Sequence, residues 1–247
     1  MKKIFGVAAV LALLAAGSTT SMAAGPCDYG VFMDFDADGF AYETAYNPNN
    51  YHSTNGSTMR MVGHINLFCP PLGALNPADP NKEYTFLVTA TSTGTIHYGP
   101  FGGFYYHETD YKNGTWAVYE GSPEDAPTDA GGMPALPSPL VPATFTNGTV
   151  ILSGTLGPGF LHTSISSDLT QANTNGSFVS NYQATGGSYY PQVGNGQAIF
   201  QGNWCVWPEP AGCRPATYSA HPNGKWDLPP TTATSKSTWG ALKKLYK

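Results

Sequence analysis

From Glu83 to Thr93 the chain reads Glu-Tyr-Thr-Phe-Leu-Val-Thr-Ala-Thr-Ser-Thr, a run dominated by β-branched and aromatic residues with partial alternation. A period of two in such a composition predicts a half-buried β-strand. Met59 to Phe68 alternates in part and reads as another strand. Cys69-Pro70-Pro71 ends it, because proline cannot donate to a ladder. Gly94 to Tyr98 and Phe104 to Glu108 flank a Gly-Pro-Phe-Gly-Gly turn and are expected to pair. Thr115 to Tyr119, Ala143 to Gly154, Phe160 to Ile165, Gly176 to Gln183 and Gln197 to Trp204 supply further strand candidates, and Tyr29 begins one that ends in an acidic turn at Asp38.

Six Asn-Gly dipeptides fall among these runs, at 55–56, 113–114, 147–148, 175–176, 195–196 and 223–224. Asn and Gly accept positive φ most readily, and two-residue hairpin turns need it. The pattern therefore predicts an all-β chain of antiparallel hairpins, folded as a β-sandwich of Ig-like or jelly-roll type. Gly121 to Pro142 breaks the pattern with six prolines and almost no β-branched residues, so it reads as an extended loop. The strands form either one sandwich over 25–226 with this loop as an excursion, or two units divided there. Neither half alone offers many strong strands, which favours one domain.

The two ends differ from the body. Met1-Lys2-Lys3, an apolar run Ile4 to Ala16 and the small residues Ser21-Met22-Ala23 form a secretory signal peptide over 1–24. The apolar run is shorter than the ~20 residues that span a bilayer. Residues 227–236 read as a linker. In 237–247, Trp239, Leu242, Leu245 and Tyr246 share one helical face opposite Lys243, Lys244 and Lys247, predicting a short amphipathic helix.

Export changes how the four cysteines are read. Cys27, Cys69, Cys205 and Cys213 are even in number and lack the C-x-x-C spacing that zinc favours, so disulfides are expected. A short Cys205–Cys213 loop is the favoured pairing, which leaves Cys27–Cys69.

Charge narrows the partners. Only 11% of residues are charged, and removing Lys2 and Lys3 leaves 9 basic against 16 acidic side chains. From Gly25 to Ser235 the balance is 5 against 16. Such a body repels nucleic acid, which needs clustered Lys and Arg. Hydrophobic residues make up 41% of the chain, enough for a packed core.

Three groups of residues carry candidate chemistry. Asp34-Phe35-Asp36-Ala37-Asp38-Gly39 matches the first half of a calcium loop, with Glu43 as a further carboxylate. Ala45 stands where an EF-hand has its bidentate Glu, so the loop is not an EF-hand. Asp34, Asp36, Asp38 and Glu43 are the candidate ligands of one structural calcium, and a solvated acidic turn is the alternative. His97 and His107 come opposite each other if their turn centres on Gly102, close enough to share a metal ion, though Glu108 falls on the other face and two half-exposed histidines in an aromatic hairpin are the alternative reading. Aromatic residues crowd 98–111 and the last third, and Tyr105, Trp204 and Trp207 are candidates to stack on sugar rings. Core filling explains the same rings equally well.

The acidic loop resembles the abbreviated Asp-x-Asp-x-Asp-Gly loops of exported bacterial β-proteins. The ending Thr238-Trp239-Gly240-Ala241-Leu242-Lys243-Lys244-Leu245-Tyr246-Lys247 is similar to a C-terminal tail of diverse exported bacterial proteins. The likeness implies a shared export or attachment context, with the tail read by a partner or an anionic surface. No Gly-x-Ser-x-Gly, His-Glu-x-x-His or Gly-Lys-Ser/Thr signature occurs. The expectation is an exported, non-enzymatic structural or adhesive protein of the cell surface or extracellular space. A carbohydrate-binding module is the alternative, and a secreted hydrolase the third reading.

Overall fold

The computed structural model describes residues 27, 30–35, 39–121, 126, 143–157, 159, 161–168, 175–206 and 218–228. The expected signal peptide, Asp36, Asp38, Trp207, Cys213, nearly all of the proline-rich segment and the expected C-terminal helix lie outside them.

Among the described residues the chain is almost entirely antiparallel β. The strands are β1 (Val31–Phe35), β2 (Gly39–Glu43), β3 (Tyr46–Asn47), β4 (His52–Ser53), β5 (Thr58–His64), β6 (Leu67–Phe68), β7 (Glu83–Phe101), β8 (Phe104–Gly121), β9 (Thr149–Leu156), β10 (Leu161–Asp168), β11 (Asn175–Gly186), β12 (Gln197–Cys205) and β13 (His221–Asp227). Eleven belong to one sheet in the order β2-β5-β7-β8-β10-β11-β12-β13-β1-β6, with β9 bridging β8 and β11 beside β10. β3 and β4 form a separate ribbon. Where the sequence led us to expect two packed sheets, the ladders join in one. The sheet curls until β2 meets the start of β13: Ala41 N–H donates to Ala220 O at 2.9 Å, and Ala220 N–H returns to Ala41 O at 3.2 Å. Strands from before and after the proline-rich segment thus share the same ladders.

Curling gives the sheet an inner and an outer side. Phe35, Phe86, Phe178, Phe200, Trp116 and Trp226 fill the inner side and are at most 2% exposed. Their rings meet tilted or edge-on, as in Phe200–Trp226 at 4.6 Å and Phe86–Trp226 at 5.2 Å. A smaller cluster of Phe40, Val62, Phe145 and Tyr218 covers the other side of β2 and β5.

The Asn-Gly dipeptides do not all make turns. Asn55-Gly56 does, with Gly56 at φ 86° between β4 and β5, but of the six glycines only Gly56 has positive φ. Three pairs sit inside strands: 113–114 in β8, 175–176 in β11 and 223–224 in β13. Packing explains Gly176. It stands directly opposite Trp204, and a Cβ there would collide with the indole nitrogen. Asn113, at φ 55°, lies where the β7–β8 register shifts, so this pair forms a bulge within a long hairpin. The separate strands expected at 83–93 and 94–98 are consequently one 19-residue strand.

Candidate functional site

The outer side of β8, β10, β11, β12 and β13 carries the candidate binding surface. Register places Ile96, Glu108, Ser164, Ser177, Asn203 and Asn223 in one row across six strands. With strands about 4.8 Å apart, the row is about 24 Å long. A neighbouring row runs Asp110, His162, Val179, Gln201, Lys225 and Asp34. His162 Nδ1 lies 2.8 Å from Asp110 Oδ1, Lys225 Nζ is 3.2 Å from Asp227 Oδ1, and Gln201 donates to Asp227 Oδ2 at 2.6 Å. Asp34, Ser177, Val179, Gln201, Asn203, Asn223 and Lys225 line an open groove of about 670 Å³. That volume is in the range of small-ligand sites.

One end of this surface is apolar. The β7–β8 hairpin turns through Gly102 (φ 58°) and Gly103 (φ 90°), and its β8 arm pairs with β10 as far as Phe104. Ile96, Tyr98, Phe101, Phe104 and Tyr106 are 57, 40, 61, 42 and 39% exposed. Tyr98 and Tyr106 pair across the strands, and Ile96 pairs with Glu108 in the polar row. Residues 96–106 hold no Asp, Glu, Lys or Arg. Exposed rings thus adjoin hydroxyls, amides and carboxylates on the same sheet face.

On the inner side of the same hairpin, His97 and His107 do pair across β7 and β8, as the turn position predicts. Their Nδ1 atoms are 2.7 Å apart. His97 Nε2 is 3.0 Å from His52 Nδ1 on β4, and His107 Nε2 is 3.0 Å from Ser167 Oγ on β10. Burial, and secondarily His97, pushes the His107 imidazole down to about 4, and burial also lowers His97. Between pH 4 and the ordinary value near 6.5 the unfolded chain therefore holds a proton on His107 that the native one does not. Stability from this residue is present above about pH 6.5 and is lost as the pH falls toward 4. Urea midpoints measured across that window should fall on acidification, and His107→Gln should flatten the slope; an unchanged slope contradicts the assignment.

Glu43 occupies a different environment. It is 4% exposed, and its Oε2 accepts hydrogen bonds from Ser53 Oγ at 2.8 Å and Tyr111 O–H at 3.0 Å. Its Oε1 and Trp204 Nε1 are buried without protein partners beside an internal cavity of about 20 Å³. Burial raises the Glu43 carboxyl above the usual carboxylate range, against the opposing pull of the nearby hydroxyls of Ser53, Ser57 and Tyr111. Burial likewise holds the Tyr111 phenol well above its ordinary value.

Glu43 and Asp34 therefore line different pockets, and the structure does not bring them together. Asp36 and Asp38 lie outside the described residues. Among the described residues no three His, Cys, Asp or Glu side chains form a metal-holding group. Tyr105 is 37% exposed at the hairpin. Trp204, expected as an exposed stacking ring, is 6% exposed and packs 5.9 Å from Phe178. Strand alternation puts it on the same side as Phe200, over Gly176. Trp207 lies outside the described residues. Cys27 and Cys69 are joined by a disulfide, and Cys205 is disulfide-bonded, with Cys213 outside the described residues. Sequence reasoning missed His52, Ser167 and the polar row, because only long-range register places them. Among the described residues no helix is long and apolar enough to cross a membrane. Comparison with protein-family models, with curated proteins and with solved structures found no match.

Proposed function

We propose that this is an exported, non-enzymatic adhesive protein that holds a neutral glycan chain on its outer sheet face. The observation that supports the reading is the cross-strand row Glu108, Ser164, Ser177, Asn203 and Asn223 running up to exposed Tyr98 and Tyr106. A glycan offers hydroxyls that exchange hydrogen bonds with amides and carboxylates, and ring faces that pack on aromatics. The acidic body disfavours an anionic polymer.

Soluble neutral polysaccharides should retard the mature protein in affinity electrophoresis. Each aromatic contact contributes about 0.5–1.5 kcal/mol, so Tyr98→Ala with Tyr106→Ala should weaken binding about tenfold or more. Asn203→Ala with Asn223→Ala should weaken it about thirtyfold, at about 1 kcal/mol for each of two lost hydrogen bonds. Equal retardation of both variants and the parent protein sinks the reading.

A structural calcium held by Asp34, Asp36 and Asp38 belongs to the same proposal. A cation bound only to the folded chain raises its unfolding midpoint. Calcium should therefore raise Tm above that in chelator, and identical midpoints remove the three aspartates as a metal site. Attachment through the basic tail at 237–247 completes the surface-anchored picture.

A further inference from the structure

We propose that His97 and His107 chelate a single Cu²⁺ ion through their Nδ1 atoms, at a site separate from the outer glycan surface. The two imidazoles stand at paired positions on β7 and β8, and their Nδ1 atoms are 2.7 Å apart. Adjacent positions of a tetragonal copper centre, with Cu–N about 2 Å, place two nitrogens about 2.8 Å apart. A tetrahedral zinc centre at about 2.0–2.1 Å needs about 3.3 Å. An Nδ1–H···Nδ1 hydrogen bond sets this spacing in the metal-free protein, and a small opening of the pair suits either geometry; copper is favoured by the general affinity order of divalent metals for nitrogen ligands.

The outer nitrogens of both rings are already engaged. His107 Nε2 faces Ser167 Oγ at 3.0 Å, and His97 Nε2 faces His52 Nδ1 at 3.0 Å. In the metal-free protein one Nδ1–H donates to the other Nδ1; copper binding requires that ring's proton to move to its Nε2, so that each Nε2–H donates to its neighbour and both Nδ1 lone pairs serve the metal. Such partners fix tautomer and ring orientation in metal sites. Ser167 is 2% exposed and His107 is 8% exposed, so the inner ring is held by packing. His97 is exposed on the other strand, which leaves a path for the ion and room for water ligands.

Two protein ligands completed by water make this a moderate-affinity site. Tag-free mature protein titrated with Cu²⁺ should bind one ion at this site, with an electron paramagnetic resonance spectrum showing coupling to two imidazole nitrogens. His97→Gln and His107→Gln should each lower affinity at least tenfold. His52→Gln should lower it about tenfold through loss of the orienting partner. His162→Gln and His221→Gln should leave it unchanged. Because His97 is exposed, its variant tests the site even where His107→Gln fails to fold. Undiminished copper affinity in His97→Gln, or a spectrum without two coupled imidazoles, overturns the proposal. Glycan retardation is measured on the same variants and should persist in His97→Gln.

Discussion

Replacing Trp226 by alanine should destabilise the protein by about 3–5 kcal/mol, the usual range for deleting a fully buried large aromatic. Trp226 is 0% exposed. Its ring lies 4.6 Å from Phe200, 5.2 Å from Phe86, 5.4 Å from Phe35 and 6.2 Å from Trp116. These partners come from β12, β7, β1 and β8, so one side chain ties distant parts of the curled sheet together. Neighbours in four strands cannot all relax into the space left behind, which keeps the cost near the upper part of the range. Urea unfolding of the two proteins measures it. A loss below about 1 kcal/mol contradicts the packing described, because surface changes fall in that range.

Cutting the Cys27–Cys69 bridge should cost about 4 kcal/mol. The cysteines are 42 residues apart in sequence, and closing a loop of that length in the unfolded chain accounts for roughly this amount. The bridge fastens the segment before β1 to the end of β6, where Cys69 N–H donates to Phe32 O at 3.0 Å. β6 is the last strand of the sheet order and only two residues long, so its pairing with β1 contributes little alone. Cys27→Ser with Cys69→Ser should lower the urea midpoint and keep the β-rich circular dichroism spectrum below it. A midpoint within error of the parent would show that the sheet edge holds without the bridge.

Local pattern carried the strand content and much of the hairpin geometry. Alternation at 83–93 marked β7, and the Gly-rich turn at 102–103 was enough to set His97 against His107. The cysteine count led to Cys27–Cys69. What failed were features whose meaning depends on what lies opposite. Gly176 reads as a turn residue, yet it is there to make room for Trp204. Trp204 reads as a sugar platform, yet strand parity turns it inward. Glu43 reads as a neighbour of the aspartates, yet it faces Ser53 and Tyr111 inside the sheet. The polar row joins Glu108 to Asn223 through three other residues far apart in the chain, and no local period encodes that.

That row is the central claim, and an amide-resolved NMR titration with a neutral oligosaccharide selected by the retardation assay tests it most directly. Shifts should concentrate at 162–166, 177–181, 199–203 and 223–225, with further changes at 96–108. Saturable shifts confined to 70–82 or 143–148, away from this row, would contradict it.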